Sequence, residues 1–321
     1  MILPDVISRN WEANFWMPCN YDLLIIGDAV LDISLNIKNF PVQAGTTNIS
    51  PDMEITPGGP AAMAIIASRL GLKVAFADKI GTDIFGDYLL KELEKSGVNT
   101  EYIIRENGEA TATSINIIDS MKNHSFLGYL GAGTMLDRVD KKLISRSKSI
   151  FFEGYNLVTP GKTYYTILDA AKEANLQKKQ VFFDVGPLIS EIKGLNAFLD
   201  FSSTVFFNRE EALAYSRLDL ESTMIMLGKK EKAIYILKLD REGSMIIKNE
   251  QMIPCSALKT DKIKNTIGAG DAFDAGYMAA MLSGYREEMA CMAGNIVASM
   301  RISGDIKSIP TINEIMEEIN P

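Results

Sequence analysis

Short unbroken apolar runs, separated by segments of helical period, limit what this chain can fold into more than any other feature. Leu23-Leu24-Ile25-Ile26, Val74-Ala75-Phe76-Ala77, Ile150-Phe151-Phe152, Val181-Phe182-Phe183, Val205-Phe206-Phe207 and Ile234-Tyr235-Ile236-Leu237 are too short for helices. They are also apolar on both faces, so each strand must be covered above and below. Parallel strands meet that demand, because the helices that connect them lie on the faces of the sheet. The segments between the runs supply such helices. Residues 60–70 begin with proline at the first helical position and stop at Gly71, residues 84–96 stop at Gly97, and a third helix is expected near residues 163–173. The expected fold is α/β, a mostly parallel central sheet covered by helices on both faces.

Two stretches break this rhythm. Residues 33–56 lack helical periodicity and are rich in Asn, Pro, Thr and Gly. Residues 111–130 alternate, with Ile115 and Ile117 on one face and Ser114 and Asn116 on the other, and turn at residues 119–123. Both are expected to form antiparallel strands with one face open to water. A chain of 321 residues with 47% hydrophobic content can bury one large core and carry such an appendage. Its net charge of −8 lacks the basic footprint of a nucleic-acid binder. No apolar run approaches the roughly 18 residues of a membrane span. Residues 1–20, an N-terminal extension, carry Asp5 and Glu12 and lack the apolar core of a signal peptide, so cytoplasmic residence is expected. Cys19, Cys255 and Cys291 are too few and scattered for a disulfide framework or a zinc site. The single histidine, His124, stands in a polar turn, which argues against His-dependent nucleophiles. Chemistry must come from carboxylates, backbone amides and a metal held by oxygen.

That chemistry concentrates in Asn265-Thr266-Ile267-Gly268-Ala269-Gly270-Asp271-Ala272-Phe273. From Ala269, small or apolar residues recur at Ala272, Phe273, Gly276, Tyr277 and Ala280, the period of a helix that stops at Gly284. Its first turn exposes the N–H groups of Gly268, Ala269 and Gly270 with little bulk around them. The positive end of the helix dipole makes such a turn attractive to anions. If the anion is a phosphoryl group, Asp271 is positioned to take the proton of the attacking hydroxyl. An aspartate in a first turn also stabilises a helix by itself, so the segment takes its meaning from a second one. Pro57-Gly58-Gly59-Pro60-Ala61-Ala62-Met63-Ala64 reads as a Gly-Gly turn into a short helix, where backbone can approach a ligand closely.

Together with Gly27-Asp28-Ala29-Val30-Leu31-Asp32, these elements resemble the ribokinase family, the phosphofructokinase-B type of sugar and nucleoside kinases. The resemblance implies a ribokinase-like domain built from residues 21–32, 57–110 and 131–321. Residues 33–56 and 111–130 would form a β lid over the sugar site and a surface for homodimer formation. Asp271 matches the catalytic base, and Gly268, Ala269 and Gly270 match the anion hole. Asp32, Gly58, Gly59 and the position of Met63 fall to the sugar, with Asp28 either lining that site or serving as a turn residue. Asn208-Arg209-Glu210-Glu211 matches the family's Asn-x-x-Glu pattern, in which Asn208 and Glu211 would orient magnesium through water or, alternatively, simply start a helix. Lys238, Gly243, Asn265, Thr266 and Asn295 match positions that border the nucleotide. Asp274, one turn beyond Asp271, reads as a solvent-facing or supporting carboxylate. ATP and Mg2+ are the implied cofactors.

Four positions depart from the family pattern. Met63 stands where an asparagine usually holds a substrate hydroxyl, and a thioether donates no hydrogen bond. Asn265 stands where an aspartate helps some members hold potassium, which weakens the case for a monovalent cation. Asp240 replaces the first glycine of the usual nucleotide turn at residues 240–243, and Gly186 replaces an asparagine. Two competing phosphate motifs fail. Residues 156–163 end in Gly-Lys-Thr, but Asn156 replaces the glycine of a Walker A loop and Pro160 removes an N–H, so the segment reads as the start of a helix. No Gly-x-Gly-x-x-Gly follows the first strand. The chain is therefore expected to be an ATP- and magnesium-dependent kinase acting on a hydroxymethyl group of a small sugar or sugar derivative. A nucleoside kinase of the same fold and a non-catalytic sugar- or nucleotide-binding protein are the alternatives.

Overall fold

The computed structural model describes residues 20–258, 263–304 and 309–319. The expected N-terminal extension, with Cys19, lies outside the described residues except for Asn20. Strand β1 (Tyr21–Ile26) leads within three residues to β2 (Val30–Asn36), and a long loop reaches β3 (Met53–Gly58). Then follow β4 (Val74–Gly81), β5 (Asn99–Glu106), β6 (Thr113–Ile118) and β7 (His124–Tyr129). The later strands are β8 (Ser147–Glu153), β9 (Gln180–Asp184), β10 (Thr204–Asn208), β11 (Ile234–Lys238), β12 (Ser244–Lys248) and β13 (Gln251–Cys255).

The apolar runs become the middle of a nine-stranded sheet of order β13-β12-β11-β10-β9-β8-β1-β4-β5. Every pairing from β5 to β11 is parallel. Alternate residues divide between two cores, as a period of two requires. Leu23, Ile25, Phe76, Phe151, Phe182, Phe206 and Ile236 pack with the helices Gly59–Arg69, Ala269–Leu282 and Glu287–Ser303. Leu24, Ile26, Ile150, Phe152, Phe183, Val205 and Phe207 pack on the other face with Lys162–Leu176, Leu195–Phe201 and Arg209–Ser216. Each such side chain contributes about 1.5–3 kcal/mol by leaving water. Among the described residues no helix is long and apolar enough to cross a membrane.

An antiparallel edge, β12–β13, extends the sheet beyond the runs visible in the sequence. Asn249 and Glu250 join these strands with φ of 50° and 60°, a turn that matches strand twist without the usual glycine. His124 is exposed as expected, but it begins β7 rather than occupying a turn.

The remaining strands form a second sheet of order β3-β2-β6-β7, the expected lid. Its β2–β3 and β6–β7 pairings are antiparallel, and β2–β6 is parallel. The lid sheet begins at Val30 and its first pair closes at Gly58, beyond the 33–56 boundary, so Asp32 and Gly58 are themselves lid-strand residues. Ile55, Ile33, Ile115 and Leu127 form one row across its four strands. β7 is exposed throughout.

The helices Ala269–Leu282 and Glu287–Ser303 form a hairpin packed through glycine. A Cβ on Gly294 would stand 2.8 Å from the Phe273 ring, and one on Gly276 would stand 2.9 Å from the Ala293 carbonyl. This contact sets the height of the first helix above the strand ends. Gly294→Val is expected to lower the unfolding free energy by about 1–3 kcal/mol through overpacking, read as a lower urea midpoint. An unchanged midpoint would show that the hairpin tolerates a wider spacing.

Candidate active site

Four neighbouring parallel strands end on polar side chains: β8 on Glu153, β9 on Asp184, β10 on Asn208 and β11 on Lys238. Asp28 follows β1 in the turn that crosses to the lid, with φ of 68°. Carboxyl ends of parallel strands are where open α/β sheets bind ligands. Polar termini tolerate that exposure, while the apolar strand interiors do not.

The helix Ala269–Leu282 points its N-terminus at this row. Gly268 caps it with φ of 75°, a left-handed conformation costly for other residues. The Gly268 and Gly270 N–H groups find no acceptor among the described residues. The Ala269 N–H differs from the sequence expectation, because it donates to the Thr266 carbonyl at 3.3 Å. Of the three amides expected to be open, those of Gly268 and Gly270 are and that of Ala269 is not. Asn265 accepts the Ile267 N–H through Oδ1 at 3.0 Å, so its side chain shapes the turn.

Lys238 lies beneath this turn. Its Nζ is 2.6 Å from Asp184 and 3.3 Å from Asp274, and 5.7 Å from the centroid of the Phe206 ring. Burial alone would discharge the ammonium, but Asp184, Asp274 and Glu211 hold its pKa well above the ordinary lysine value. Burial also pushes Asp184 up, yet Lys238, Asp274 and the Gly186 N–H outweigh it and hold that carboxyl down. Burial drives the Asp274 carboxyl well above its usual range against the pull of Lys238, and its contact with Asp184 acts in the same direction as burial. Asp274 is only 1% exposed, so it supports the site from below and does not face solvent.

Around the helix N-terminus lies a crowd of carboxyl groups. Burial, then the Asp184 charge, pushes Asp271 up to about 6 against the pull of Lys238 and Arg301. Asp28 is pushed up to about 7 by burial and by the charges of Asp271 and Asp32. Asp32 reaches about 7 through burial and Asp271, with Asn116 and Arg301 opposing. Asp78, which accepts the Ala29 N–H at 2.7 Å, reaches about 8 through burial. Glu153 is raised well above its usual range by burial and by Asp271, and its Oε2 has no partner among the described residues. A Cβ on Gly58 would collide with the Asp32 carboxylate, and one on Gly59 would stand 3.5 Å from Glu153 Oε2. The Gly-Gly turn therefore brings bare backbone up to the same carboxylates, and the mutual effects on pKa tie Asp28, Asp32 and Asp271 into one cluster. Met63 lies in the core cluster with no exposed surface.

On the nucleotide side, Asn208 and Glu211 bond to each other as a helix capping box. Glu211 accepts the Asn208 N–H at 2.7 Å and its Nδ2 at 2.7 Å, and Asn208 Oδ1 accepts the Glu211 N–H at 2.8 Å. Asn295 donates through Nδ2 to Ser244 Oγ and to the carbonyls of Cys255 and Ser256. Gly243 turns tightly against Cys255, where a Cβ would collide with its carbonyl. Thr266 stands one residue before the turn, exposed, and gives its carbonyl to Ala269. The Gly-Lys-Thr segment starts the helix Lys162–Leu176, as expected. Cys255 and Cys291, far apart in sequence, are buried side by side. Among the described residues no three His, Cys, Asp or Glu side chains converge on a bare metal ion.

Glu153, Asp78, Asp184 and Arg301 were not identified from the sequence. Glu153 and Asp184 left one usable signal, a carboxylate placed directly after a short apolar strand. Arg301 left none, since it reaches the cleft only through the packing of two helices.

Comparison with known proteins agrees with this fold. Residues 20–311 match the family model of pfkB family carbohydrate kinases. A 5-dehydro-2-deoxygluconokinase of Bacillus licheniformis is 25% identical over 93% of this chain and 96% of its own length. The 5-dehydro-2-deoxygluconokinase 2 of Bacillus cereus is 27% identical over 67% of this chain and 60% of its own length. Among solved structures, an Arabidopsis thaliana ribokinase complexed with ribose and ATP superposes with a TM-score of 0.79 at 22% identity, covering 94% of this chain and 99% of that one. At that identity the likeness speaks for the fold.

The carboxyl cluster makes the ligand-free fold sensitive to alkali. Asp28, Asp32 and Asp78 hold protons up to about pH 7 or 8 when folded, whereas unfolded aspartates release them near pH 4. The stability they contribute is complete below about pH 4 and is lost as pH rises through 7–8. The melting temperature of the ligand-free protein should therefore fall between pH 6 and pH 8.5, and Asp78→Asn should flatten the fall. A melting temperature that rises over this range would contradict the crowding.

Proposed function

The chain belongs to the pfkB family of carbohydrate kinases, and we propose that it transfers the γ-phosphoryl group of ATP to a hydroxymethyl group of a small sugar or sugar derivative. One observation carries this reading: Asp271 shares a helical turn with the open N–H groups of Gly268 and Gly270, near carboxyl groups suited to a polyol. Asp28, Asp32 and Glu153 accept hydrogen bonds from the acceptor's hydroxyls, and Gly58 and Gly59 let its ring or chain lie against backbone. Asp271, with a pKa of about 6, is largely ionised near neutrality and still basic enough to receive the proton of the attacking hydroxyl. Gly268 and Gly270 donate to the phosphoryl oxygens as charge develops there.

Magnesium bound with the nucleotide would supply positive charge to the phosphate oxygens. The residues fit it: Glu211 is pushed up to about 7 by burial and by Asp184, a crowding of hard oxygen donors that a divalent cation relieves. Asn208 and Glu211 engage each other directly, so they would hold the ion through water. Lys238 keeps the strand ends electrically balanced beneath the nucleotide. Gly243, Thr266 and Asn295 border the nucleotide in this reading. Asn265 carries no charge, which weakens the case for a monovalent cation at this turn. Closure of the lid excludes water and suppresses hydrolysis, and its open apolar row at Ile33, Ile115 and Leu127 suits a second copy of the chain. The protein works in the cytoplasm, where ATP is available.

The test is ADP release from ATP and magnesium across fructose, ribose, 2-keto-3-deoxygluconate, 5-dehydro-2-deoxygluconate, adenosine and cytidine. One sugar should give turnover that Asp271→Asn reduces by about 10²–10⁴-fold while melting stays within a few degrees. Turnover confined to adenosine or cytidine would replace the sugar with a nucleoside. Stabilisation by ATP without any turnover would mean a binding protein. With the accepted sugar, kcat/KM should rise between pH 5 and pH 7 with an apparent pKa near 6, because Asp271 must lose its proton to act. A profile flat over that range would remove Asp271 as the base.

A further inference from the structure

Two cations flank the helix turn, and among the described residues only Lys238 has carboxyl partners in an ion pair. Lys238 approaches from the Gly270 side, where a Cβ would stand 3.5 Å from Nζ, and it is held by Asp184 and Asp274. Arg301 approaches from the Gly268 side. It sits in the last turn of the helix Glu287–Ser303, and a Cβ on Gly268 would stand 3.2 Å from its Nε and 3.5 Å from Nη2. Its Nε is buried and meets no acceptor among the described residues, and it forms no ion pair there. The Ile302 carbonyl accepts the N–H groups of Lys264 and Asn265 at 2.8 and 3.4 Å. The strand of backbone leading into the turn is thus fastened beside Arg301, and the guanidinium and the two open amides are fixed relative to each other.

A buried donor without an acceptor is costly unless a ligand supplies one. The cleft otherwise presents carboxyl groups at Asp28, Asp32, Glu153 and Asp271, an environment hostile to a phosphoryl group. A planar guanidinium offers several N–H donors in a fork that matches its oxygens. We propose that Arg301 is a catalytic residue whose guanidinium binds the phosphoryl group in transit, beside the Gly268 and Gly270 N–H groups. This rests on the kinase reading given above. As the acceptor oxygen bonds to the γ-phosphorus, the bond from that phosphorus to the β–γ bridging oxygen breaks. The acceptor's proton passes to Asp271, the bridging electron pair leaves on ADP, and Arg301 offsets the charge on the equatorial oxygens throughout.

The experiment compares the wild-type protein with Arg301→Met and Arg301→Lys. Absence of wild-type turnover on every acceptor would sink the kinase reading itself, independently of Arg301. Given turnover, Arg301→Met should lose about 10²–10³-fold in kcat, with the acceptor KM changed less than about threefold, and guanidinium ion should restore part of the loss. Arg301→Lys, which keeps the charge without the fork, should fall between the two and serves if the methionine variant does not fold. A second readout needs no turnover. Aluminium fluoride added to ADP and magnesium mimics the planar phosphoryl group, and its extra thermal stabilisation should vanish in Arg301→Met while that of ADP alone persists. Arg301 variants that keep kcat within about threefold and respond fully to aluminium fluoride would overturn the proposal. A loss confined to the acceptor KM would overturn it too, by making Arg301 an anchor for an anionic group of the sugar.

Discussion

Lys238 joins three elements at one point. Its ammonium meets Asp184 at the end of β9 and Asp274 inside the helix Ala269–Leu282, and it is itself the last residue of β11. A buried ammonium is stable only when paired, and removing one partner of such a pair costs roughly 3–5 kcal/mol. The helix therefore cannot slide or rotate over the strand ends without breaking that contact. Asp271 lies three residues before Asp274 on the same helix, so the pairing that seats the helix also seats the carboxylate proposed as the base. The two glycines that remove bulk at residues 268 and 270 do so on the sides facing Arg301 and Lys238.

The electrostatic character of the cleft follows from the ends of the strands. Parallel strands must present their carboxyl ends on one side, and here several of them finish with acidic groups within reach of one another. The cost of that crowding appears in Asp28, Asp32 and Asp78, pushed up to about 7, 7 and 8, and in Glu153, raised well above its usual range. On the proposed reading, a polyol that donates hydrogen bonds suits such a surface, and a cation bound with the nucleotide would relieve it. Acceptor and nucleotide would then favour each other's binding through charge alone, without a dedicated switch.

Much of the architecture was legible because it rests on local patterns. The β1, β4, β8, β9, β10 and β11 runs are apolar on both sides, and the helix starts at Pro60 and Ala269 follow from turn residues beside them. The β12–β13 hairpin was hidden because Asn249-Glu250 lacks the glycine that advertises such turns. The expectation of three open amides failed at Ala269, whose N–H folds back on Thr266, a detail of turn geometry. The sequence left Asp274 open between facing solvent and supporting the site, because a carboxylate on a helix usually faces water and its burial depends on the ammonium of a distant strand.

By itself the sequence determined the layered α/β plan, the lid strands and the anion-attracting turn with its aspartate, because hydrophobic period and turn chemistry act over a few residues. Tertiary structure alone decided which distant groups share the cleft. Glu153, Asp184, Lys238 and Arg301 come from segments spread over half the chain, and their protonation depends on the burial and charges they meet there. Such long-range fields are properties of the folded arrangement, and no short window of sequence contains them.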